Sequence, residues 1–151
     1  MDKFDTGILS VLQRDGRITW SELAGRVNLS ASAVQRRVEA MVERGVIRNF
    51  TVNLNEAALG HAVKAFVTVR VERQNTELAE DFRRKVREHP QVQACHMLSG
   101  SIDFILEVVA TDLDAFGKFI DGELLSMPAV KDASSSIVLK IVKPRRTMIR
   151  R

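Results

Sequence analysis

The spacing of the apolar residues changes near residue 46, and this change limits the folds open to the chain. Up to about residue 45 the apolar residues recur at three- and four-residue intervals, which is typical of amphipathic helices. Beyond that point they alternate with polar residues, which is typical of strands. This order of periods predicts an α+β chain in which a helical part precedes a sheet-containing part.

Three helices are predicted in the first part. The first begins near Asp2 and ends near Gly16, and the second follows a capping box formed by Thr19 and Glu22. The third is capped by Ser30 and ends at Gly45. The inner faces are expected to hold Phe4, Ile8, Val11, Leu12, Leu23, Ala24, Val27, Val34, Val38, Met41 and Val42.

Two short helices joined by a tight turn, the second with a polar outer face, are typical of a helix-turn-helix. Arg36 has the length to read guanine, Gln35 suits adenine, and Arg37 on the flank suits a phosphate. The alternative is a plain three-helix bundle without DNA contact. The predicted DNA-contacting residues are Ser30, Ser32, Ala33, Gln35, Arg36 and Arg37.

The second part of the chain follows the order βαββαβ, which is that of a ferredoxin-like fold. Strands are predicted at 63–71, 92–98, 102–108 and 130–142. Two helices are predicted between them, the first with Leu78, Ala79, Phe82 and Val86 inward and the second with Leu113, Phe116, Ile120 and Leu124 inward. An earlier strand, carrying Phe50, Val52 and Leu54, is predicted to leave the helical part and to precede a linker.

Two helices on one face of a four-stranded sheet leave the other face bare. An apolar bare face needs a partner, and a second copy of the chain is the simplest one. The residues predicted on this face are Phe66, Cys95, Met97, Ile105, Val109 and Val138.

These patterns divide the chain into four parts. We expect a helix-turn-helix domain at 1–50, a strand and linker at 51–62, a ferredoxin-like domain at 63–143 and a basic tail at 144–151. Such a tail is either a nucleic-acid contact or a solvated end. The basic residues near the C-terminus are Lys140, Lys143, Arg145, Arg146, Arg150 and Arg151.

Composition argues against several classes of protein. No apolar run approaches the ~20 residues of a membrane helix, and the N-terminus is charged where a signal peptide is apolar. A single cysteine, Cys95, forms no intrachain disulfide and is expected to be buried in a strand. We therefore expect a reduced, cytoplasmic protein without a membrane partner.

The residues offer little for catalysis. His61, His89 and His96 lack metal-ligand spacing, and no glycine-rich loop for phosphate is present. We expect no enzyme activity, catalytic residue, metal or cofactor. A module that senses an amino acid and regulates an enzyme by protein contact is an alternative, but it has no need of arginines on an outer helix face.

Several groups of residues carry a family resemblance in order along the chain. They are Asp5-Thr6-Gly7-Ile8-Leu9, Leu12-Gln13-Arg14-Asp15-Gly16-Arg17, Glu22-Leu23-Ala24, Val27-Asn28-Leu29-Ser30, Arg36-Arg37-Val38, Gly45-Val46-Ile47, Cys95-His96-Met97-Leu98-Ser99-Gly100 with Asp103, and Val130-Lys131-Asp132. Together they resemble the Lrp/AsnC family of bacterial and archaeal transcription regulators across almost the whole chain.

The resemblance implies a winged helix-turn-helix followed by a ferredoxin-like domain, in a regulator that binds double-stranded DNA. It also implies homodimers that often assemble into octamers and bind a small amino acid between dimers. By position, Met97, Gly100, Ser101 and Asp103 fall on the binding turn, and Ser135, Ser136 and Val138 fall on the facing strand of a neighbour. The family often has Gly-Asp-Phe/Tyr-Asp at this turn, whereas this chain has Gly100-Ser101-Ile102-Asp103.

The chemistry of these residues suits an amino acid. Asp103 is an acceptor for an ammonium group, and backbone amides at Gly100 and Ser101 or the hydroxyls of Ser134, Ser135 and Ser136 are donors for a carboxylate. Apolar surroundings from Met97, Ile102, Leu113 and Val138 predict a neutral effector of the leucine or methionine type. The alternatives are that Gly100 and Asp103 only form the turn and that the serines are a polar strand edge.

Overall fold

The computed structural model describes residues 1–72, 74–144 and 149, which fall into two compact units. The described residues 1–54, 143, 144 and 149 belong to the N-terminal unit, and those of 55–142 form the C-terminal unit. Most of the predicted basic tail, including Arg145, Arg146, Arg150 and Arg151, lies outside the described residues.

The N-terminal unit contains three helices, α1 (Lys3–Leu12), α2 (Trp20–Val27) and α3 (Ala31–Glu43). Asp2, Thr19 and Ser30 cap them with side-chain oxygens that accept backbone N–H groups, as the sequence predicted. Asn28 ends α2 in the left-handed conformation, with φ 54°, and so turns the chain into α3.

The core of this unit is one apolar cluster shared by the three helices. Its buried members are Ile8, Leu23, Ala24, Val34, Val38 and Met41. The expectation that Val42 is buried was wrong, because this side chain is 44% exposed. Val42 lies roughly 80° from Val34 around the helix axis and therefore sits at the margin of the buried stripe.

The strand expected to carry Phe50, Val52 and Leu54 is absent from the structure. These three side chains are 54%, 71% and 61% exposed. The described residues give this segment no neighbouring strand, and an extended segment without a hydrogen-bonding partner forms no ladder. A short 3₁₀ turn, Ala57–Leu59, follows instead.

The C-terminal unit has the predicted βαββαβ order. It runs through β1 (Val63–Val71), α4 (Thr76–Glu88), β2 (Val92–Met97), β3 (Phe104–Ala110), α5 (Leu113–Gly117) and β4 (Val130–Ile137). Helix α5 continues as a π-helical segment over Lys118–Leu124. The sheet is antiparallel in the order β2-β3-β1-β4.

The helices cover one face of this sheet. The valines of β1 at 63, 67, 69 and 71 are buried there against Phe82, Leu106 and Phe119. Leu113, expected to point inward, is 63% exposed. Leu113 is the first residue of α5, and the buried side chains of α5 and the π-helical segment are Phe116, Phe119 and Leu124. The wider π-helical turn buries Phe119 more deeply than the predicted Ile120.

A bulge in strand β2 reverses the sides of the sheet to which its following side chains point. Val92 pairs with Val108 and Ala94 with Glu107, so an extra residue stands between them. Cross-strand partners share a face, and Cys95 therefore lies on the helix side, opposite Leu106. Met97 lies on the same side, opposite Phe104. The prediction that Cys95 and Met97 lie on the bare face was wrong for this reason.

The bare face carries the other predicted apolar residues. Phe66, Ile105 and Val109 point to it from the two central strands, although Val109 is only 4% exposed. Val138 continues the β4 register by donating its N–H to the carbonyl of Lys64, at 2.8 Å. His96 also lies on this face, opposite Ile105 and 3.9 Å from Glu107.

The last strand is shorter than predicted. Strand β4 ends at Ile137, whereas the sequence predicted a strand to residue 142. Strand β1 begins at Val63 and offers no further partner, so Leu139 and Val142 are 97% and 89% exposed. Among the described residues, no helix is long and apolar enough to cross a membrane.

Candidate DNA interface and effector site

Helix α3 presents a short polar first turn. The Ser30 hydroxyl accepts the N–H of Ala33 at 3.2 Å and lies 3.2 Å from the hydroxyl of Ser32. The first N–H groups of a helix point outward, and together with the helix dipole they favour negative charge. The small side chains of Ser32 and Ala33 leave room for a close approach to this helix end.

The predicted base-reading side chains are on the exposed side of α3. Gln35 and Arg36 are both exposed. The Gln35 amide donates to a carboxylate oxygen of Glu39 at 2.9 Å, one turn further along. The guanidinium of Arg36 makes no hydrogen bond or ion pair with any residue that the structure describes. Its guanidinium is therefore available to an external acceptor.

Arg37 is placed differently from its neighbour. Its Nη1 lies 2.8 Å from Oδ2 of Asp2 and 2.7 Å from Oδ1 of Asp5, so the side chain binds α1. Hydrogen bonds to Asp5 and Asp2 raise the pKa of Arg37 above its usual range. Backbone N–H donation, chiefly from Asp5, and then the Arg37 hydrogen bond lower the pKa of Asp2. The sequence did not reveal these partners.

The predicted effector residues of the β2–β3 turn lie together at one end of the sheet. The turn is closed by the N–H of Leu98, which donates to the carbonyl of Asp103 at 2.8 Å. Gly100 has φ 131°, a conformation that favours glycine. Met97, at the start of the turn, is 73% exposed, and Ser101 is exposed as well.

Asp103 is built into this turn. Its side chain is buried, and Oδ2 accepts the backbone N–H of Val71 at 2.9 Å. Its own N–H donates to the carbonyl of Val69 at 3.0 Å. The residue thus joins the turn to the end of β1, which is the structural alternative to a role in ligand binding. Its role as an ammonium acceptor stays a prediction, and an ionised carboxylate accepts several hydrogen bonds.

The predicted serines lie at the opposite edge of the sheet. Ser134 and Ser136 share the bare face with Thr68 and Phe66, whereas Ser135 faces the helix side opposite Val67. The Thr68 hydroxyl donates to the Ser134 carbonyl at 3.3 Å. Two strands separate β4 from β2, which places these edges roughly 14 Å apart at the usual strand spacing. One chain therefore does not bring the serines to the turn.

A groove of about 580 Å³ between α4 and β2 was not predicted. Met97, Cys95 and Phe104 line it from the sheet, and Arg83 and Arg87 line it from α4. Arg83 also pairs with Glu80. Strict strand alternation placed Met97 and Cys95 on the other face, so the groove is visible only once the bulge is known.

Cys95 lies in this groove at the exposed edge of the sheet rather than in the core, so the expectation of a buried cysteine was wrong. Partial burial raises the pKa of its thiol and favours the neutral form. Within the part of the chain that the structure describes, no group of His, Cys, Asp and Glu has the arrangement of a metal site.

Known proteins resemble both units. Residues 1–48 match the family described as winged helix-turn-helix DNA-binding, and residues 64–148 match the Lrp/AsnC ligand binding domain. The chain is 34% identical over 145 residues to the Bkd operon transcriptional regulator of Pseudomonas aeruginosa. This match covers 96% of this chain and 95% of that protein. It is 32% identical over 149 residues to the leucine-responsive regulatory protein of Escherichia coli, covering 99% and 91%.

A solved structure is similar over the same extent. The crystal structure of a transcriptional regulator from Neisseria meningitidis, in complex with L-methionine, matches with a TM-score of 0.94 and 37% sequence identity. The match covers 99% of this chain and 96% of that one.

Proposed function

The chain belongs to the Lrp/AsnC family of transcriptional regulators, and we propose that its helix α3 reads DNA in the major groove and that a small neutral amino acid modulates its assembly or DNA binding. Members of the family combine a helix-turn-helix DNA-binding domain with an amino-acid-binding domain and are not enzymes.

The DNA-reading role is supported by the guanidinium of Arg36, which has no hydrogen-bond or ion-pair partner among the described residues. It lies on an exposed helix face beside Gln35, past a first turn of small side chains. A guanidinium with this freedom can donate two hydrogen bonds to the major-groove edge of guanine. The backbone and hydroxyls near Ser30 and Ser32 are then close enough to contact phosphates.

The proposed effector site is shared between copies of the chain. The turn residues Met97, Gly100, Ser101 and Asp103 supply one side. The strand residues Ser134, Ser135, Ser136 and Val138 of a neighbouring copy supply the other. The separation of these two groups within one chain supports this arrangement, because only a second copy can complete the pocket. We therefore propose a homodimer as the basic unit and an octamer of four such dimers as the ligand-binding assembly.

Leucine and methionine are the effectors we propose. The name of the Escherichia coli relative refers to leucine, and the Neisseria meningitidis relative was crystallised with L-methionine. At the turn, Asp103 is the only carboxylate between residues 98 and 106, and that stretch contains no lysine or arginine. A ligand with a charged side chain would be buried without a partner there, at a cost of several kcal/mol.

Two binding measurements test the proposal. The full chain is titrated against a labelled duplex from the region upstream of its own gene, with and without each of the twenty amino acids. Calorimetry with the same amino acids measures effector affinity directly. We expect sequence-specific DNA binding that leucine or methionine alters. Failure to bind any duplex would reject the DNA-reading role, and preferential binding of lysine, arginine, aspartate or glutamate would reject the neutral pocket.

A further inference from the structure

Arg37 joins two helices that are far apart in sequence. Its guanidinium carbon lies 5.5 Å from the centroid of the Phe4 ring, and the same ring has the Lys3 ammonium 5.1 Å from its centroid. The two carboxylates that bind Arg37 belong to Asp2 and Asp5, 35 and 32 residues away. All of these partners lie at the N-terminal end of α1.

In both Asp2 and Asp5, one carboxylate oxygen accepts backbone N–H groups and the other binds Arg37. Asp2 accepts the N–H groups of Phe4 and Asp5 through Oδ1, at 2.8 and 2.9 Å, and binds Arg37 through Oδ2. Asp5 accepts the Asp2 N–H through Oδ2 at 3.1 Å and binds Arg37 through Oδ1. The two carboxylates of the capping box at the start of α1 thus also bind the Arg37 side chain of α3.

This geometry limits what else Arg37 can do. Asp5 is only 7% exposed, so part of the ion pair is shielded from water. A guanidinium with one nitrogen on two carboxylates and a face towards an aromatic ring is held in orientation. A phosphate contact would have to compete with two charged acceptors that are already in place.

We propose that Arg37 is a positioning residue for DNA reading, which anchors α3 to the cap of α1 and thereby sets the direction in which Arg36 points. Arg36 and Arg37 are neighbours on one helix, so a rotation of α3 about its axis that releases Arg37 also displaces Arg36. The inference rests on the proposed function, since it takes α3 as the helix that enters the major groove. It departs from the sequence-based prediction that Arg37 binds phosphate.

Arg37 can act as an anchor of α3 or as a phosphate contact, and neutralising Asp2 has opposite expected effects on DNA binding in the two cases. Removing a negative charge from a DNA-binding unit strengthens association with DNA when only electrostatics matter. If Asp2 helps to hold Arg37, its neutralisation weakens DNA binding instead. Asp2→Asn is suited to this test because Asn is an effective helix cap and retains an oxygen for the N–H groups of Phe4 and Asp5.

A matched control exists in the same unit. Asp15→Asn removes the same charge, and the Asp15 oxygen that accepts the Arg17 N–H at 3.1 Å is retained in the amide. No ion pair of Asp15 is present among the described residues. Arg37→Lys is the second informative variant, because lysine serves a phosphate as a point charge but cannot reproduce a planar guanidinium.

The experiment measures fluorescence anisotropy of the full chain with a duplex that the wild type binds, over a series of salt concentrations. We expect Asp2→Asn, Arg37→Gln and Arg37→Lys each to weaken binding about two- to fivefold, the range of a partly exposed ion pair. Asp15→Asn should leave binding unchanged or tighten it. The double variant with Asp2→Asn and Arg37→Gln should bind DNA about as weakly as Arg37→Gln alone, because the two substitutions remove the same interaction.

The salt dependence of the DNA affinity distinguishes a lost phosphate contact from a lost anchor. A lost phosphate contact lowers the slope of log affinity against log salt by about one, whereas a lost anchor leaves the slope unchanged. A lower slope in Arg37→Gln, or DNA binding by Asp2→Asn at or above wild-type strength, would overturn the proposal while leaving α3 as the reading helix. A wild-type chain that binds no duplex would reject the proposed function itself.

Discussion

At the scale of single residues, Arg36 and Arg37 show that sequence neighbours with the same chemistry receive different surroundings. About 100° of helix rotation separates their side chains, so one points to solvent and the other to α1. The exposed arginine keeps all its donors for a ligand. The inward one is held by two carboxylates before any ligand arrives.

We expect Arg36→Ala to weaken binding to the preferred duplex by about 1–3 kcal/mol and to relax the choice of base at one position. The reason is the loss of a two-donor contact with a base edge. Anisotropy titrations against the preferred duplex and single-base variants measure both effects. Arg44→Ala, at the exposed C-terminal end of α3, is the control for loss of charge. Equal losses on all duplexes would contradict base reading.

Asp103 has a structural bond and a predicted ligand role, and these are separable by substitution. Asp103→Asn keeps an oxygen for the Val71 N–H but removes the charge that an ammonium group needs. We expect the affinity for leucine or methionine to fall by about 1.5–3 kcal/mol, measured by calorimetry. Asp121→Asn, on the exposed side of the π-helical segment, is the control. Unchanged affinity would assign Asp103 to the turn alone.

At the scale of elements, local hydrogen bonds define where each helix of the N-terminal unit begins. In α2, the Thr19 hydroxyl donates to Glu22 Oε2 at 2.6 Å, and the Thr19 N–H donates to the same oxygen at 3.0 Å. The Glu22 N–H donates back to the Thr19 hydroxyl at 3.3 Å. These bonds lower the pKa of Glu22, the contribution of the Thr19 side chain being the largest.

Thr19→Ala removes this reciprocal cap, and we expect it to reduce the free energy of unfolding of the N-terminal unit by about 1 kcal/mol. Urea titration followed by circular dichroism measures the change, with Thr19→Ser as the control that keeps the hydroxyl. The Glu22 carboxylate has a lowered pKa in the fold, so its contribution is present above its unfolded pKa and lost as the pH falls through the folded value. An effect of Thr19→Ala that is unchanged in acid would contradict the role of Glu22.

In the molecule as a whole, the sheet face opposite the helices carries exposed apolar side chains that no described helix or strand covers. Phe66 is 38% exposed at its centre, next to Ile105 and between Glu107 and Ser136 on the neighbouring strands. Apolar residues on such a face favour association with a second copy. In the proposed effector site, the edges that carry the turn and the serines meet only between neighbouring copies.

We expect Phe66→Asp to shift the protein from its assembly to monomers at micromolar concentration, because a charge would be buried in the contact. Light scattering coupled to size-exclusion chromatography measures the mass. Leu125→Asp is the matched control, since Leu125 is 43% exposed but follows the π-helical segment of the other layer. A wild-type chain that is monomeric would contradict both the dimer and the shared effector site.

Features that depend on near neighbours in the chain could be predicted from the amino-acid sequence alone. Helix caps at Asp2, Thr19 and Ser30, the helical and strand periods, and the βαββαβ order all rest on residues a few positions apart, and the structure agrees with them. The exposed face of α3 was also predictable, because a helix with known ends has a known buried stripe.

Features that depend on partners distant in sequence became visible only in the folded chain. The bulge of β2 moved Cys95 and Met97 to the helix side, since a register is defined by both strands of a pair. The strand expected at Phe50–Leu54 needed a partner that the described chain does not offer. The role of Arg37 depended on carboxylates more than thirty residues away. Periodicity describes which side of an element is apolar, but contacts between elements follow from how the elements pack.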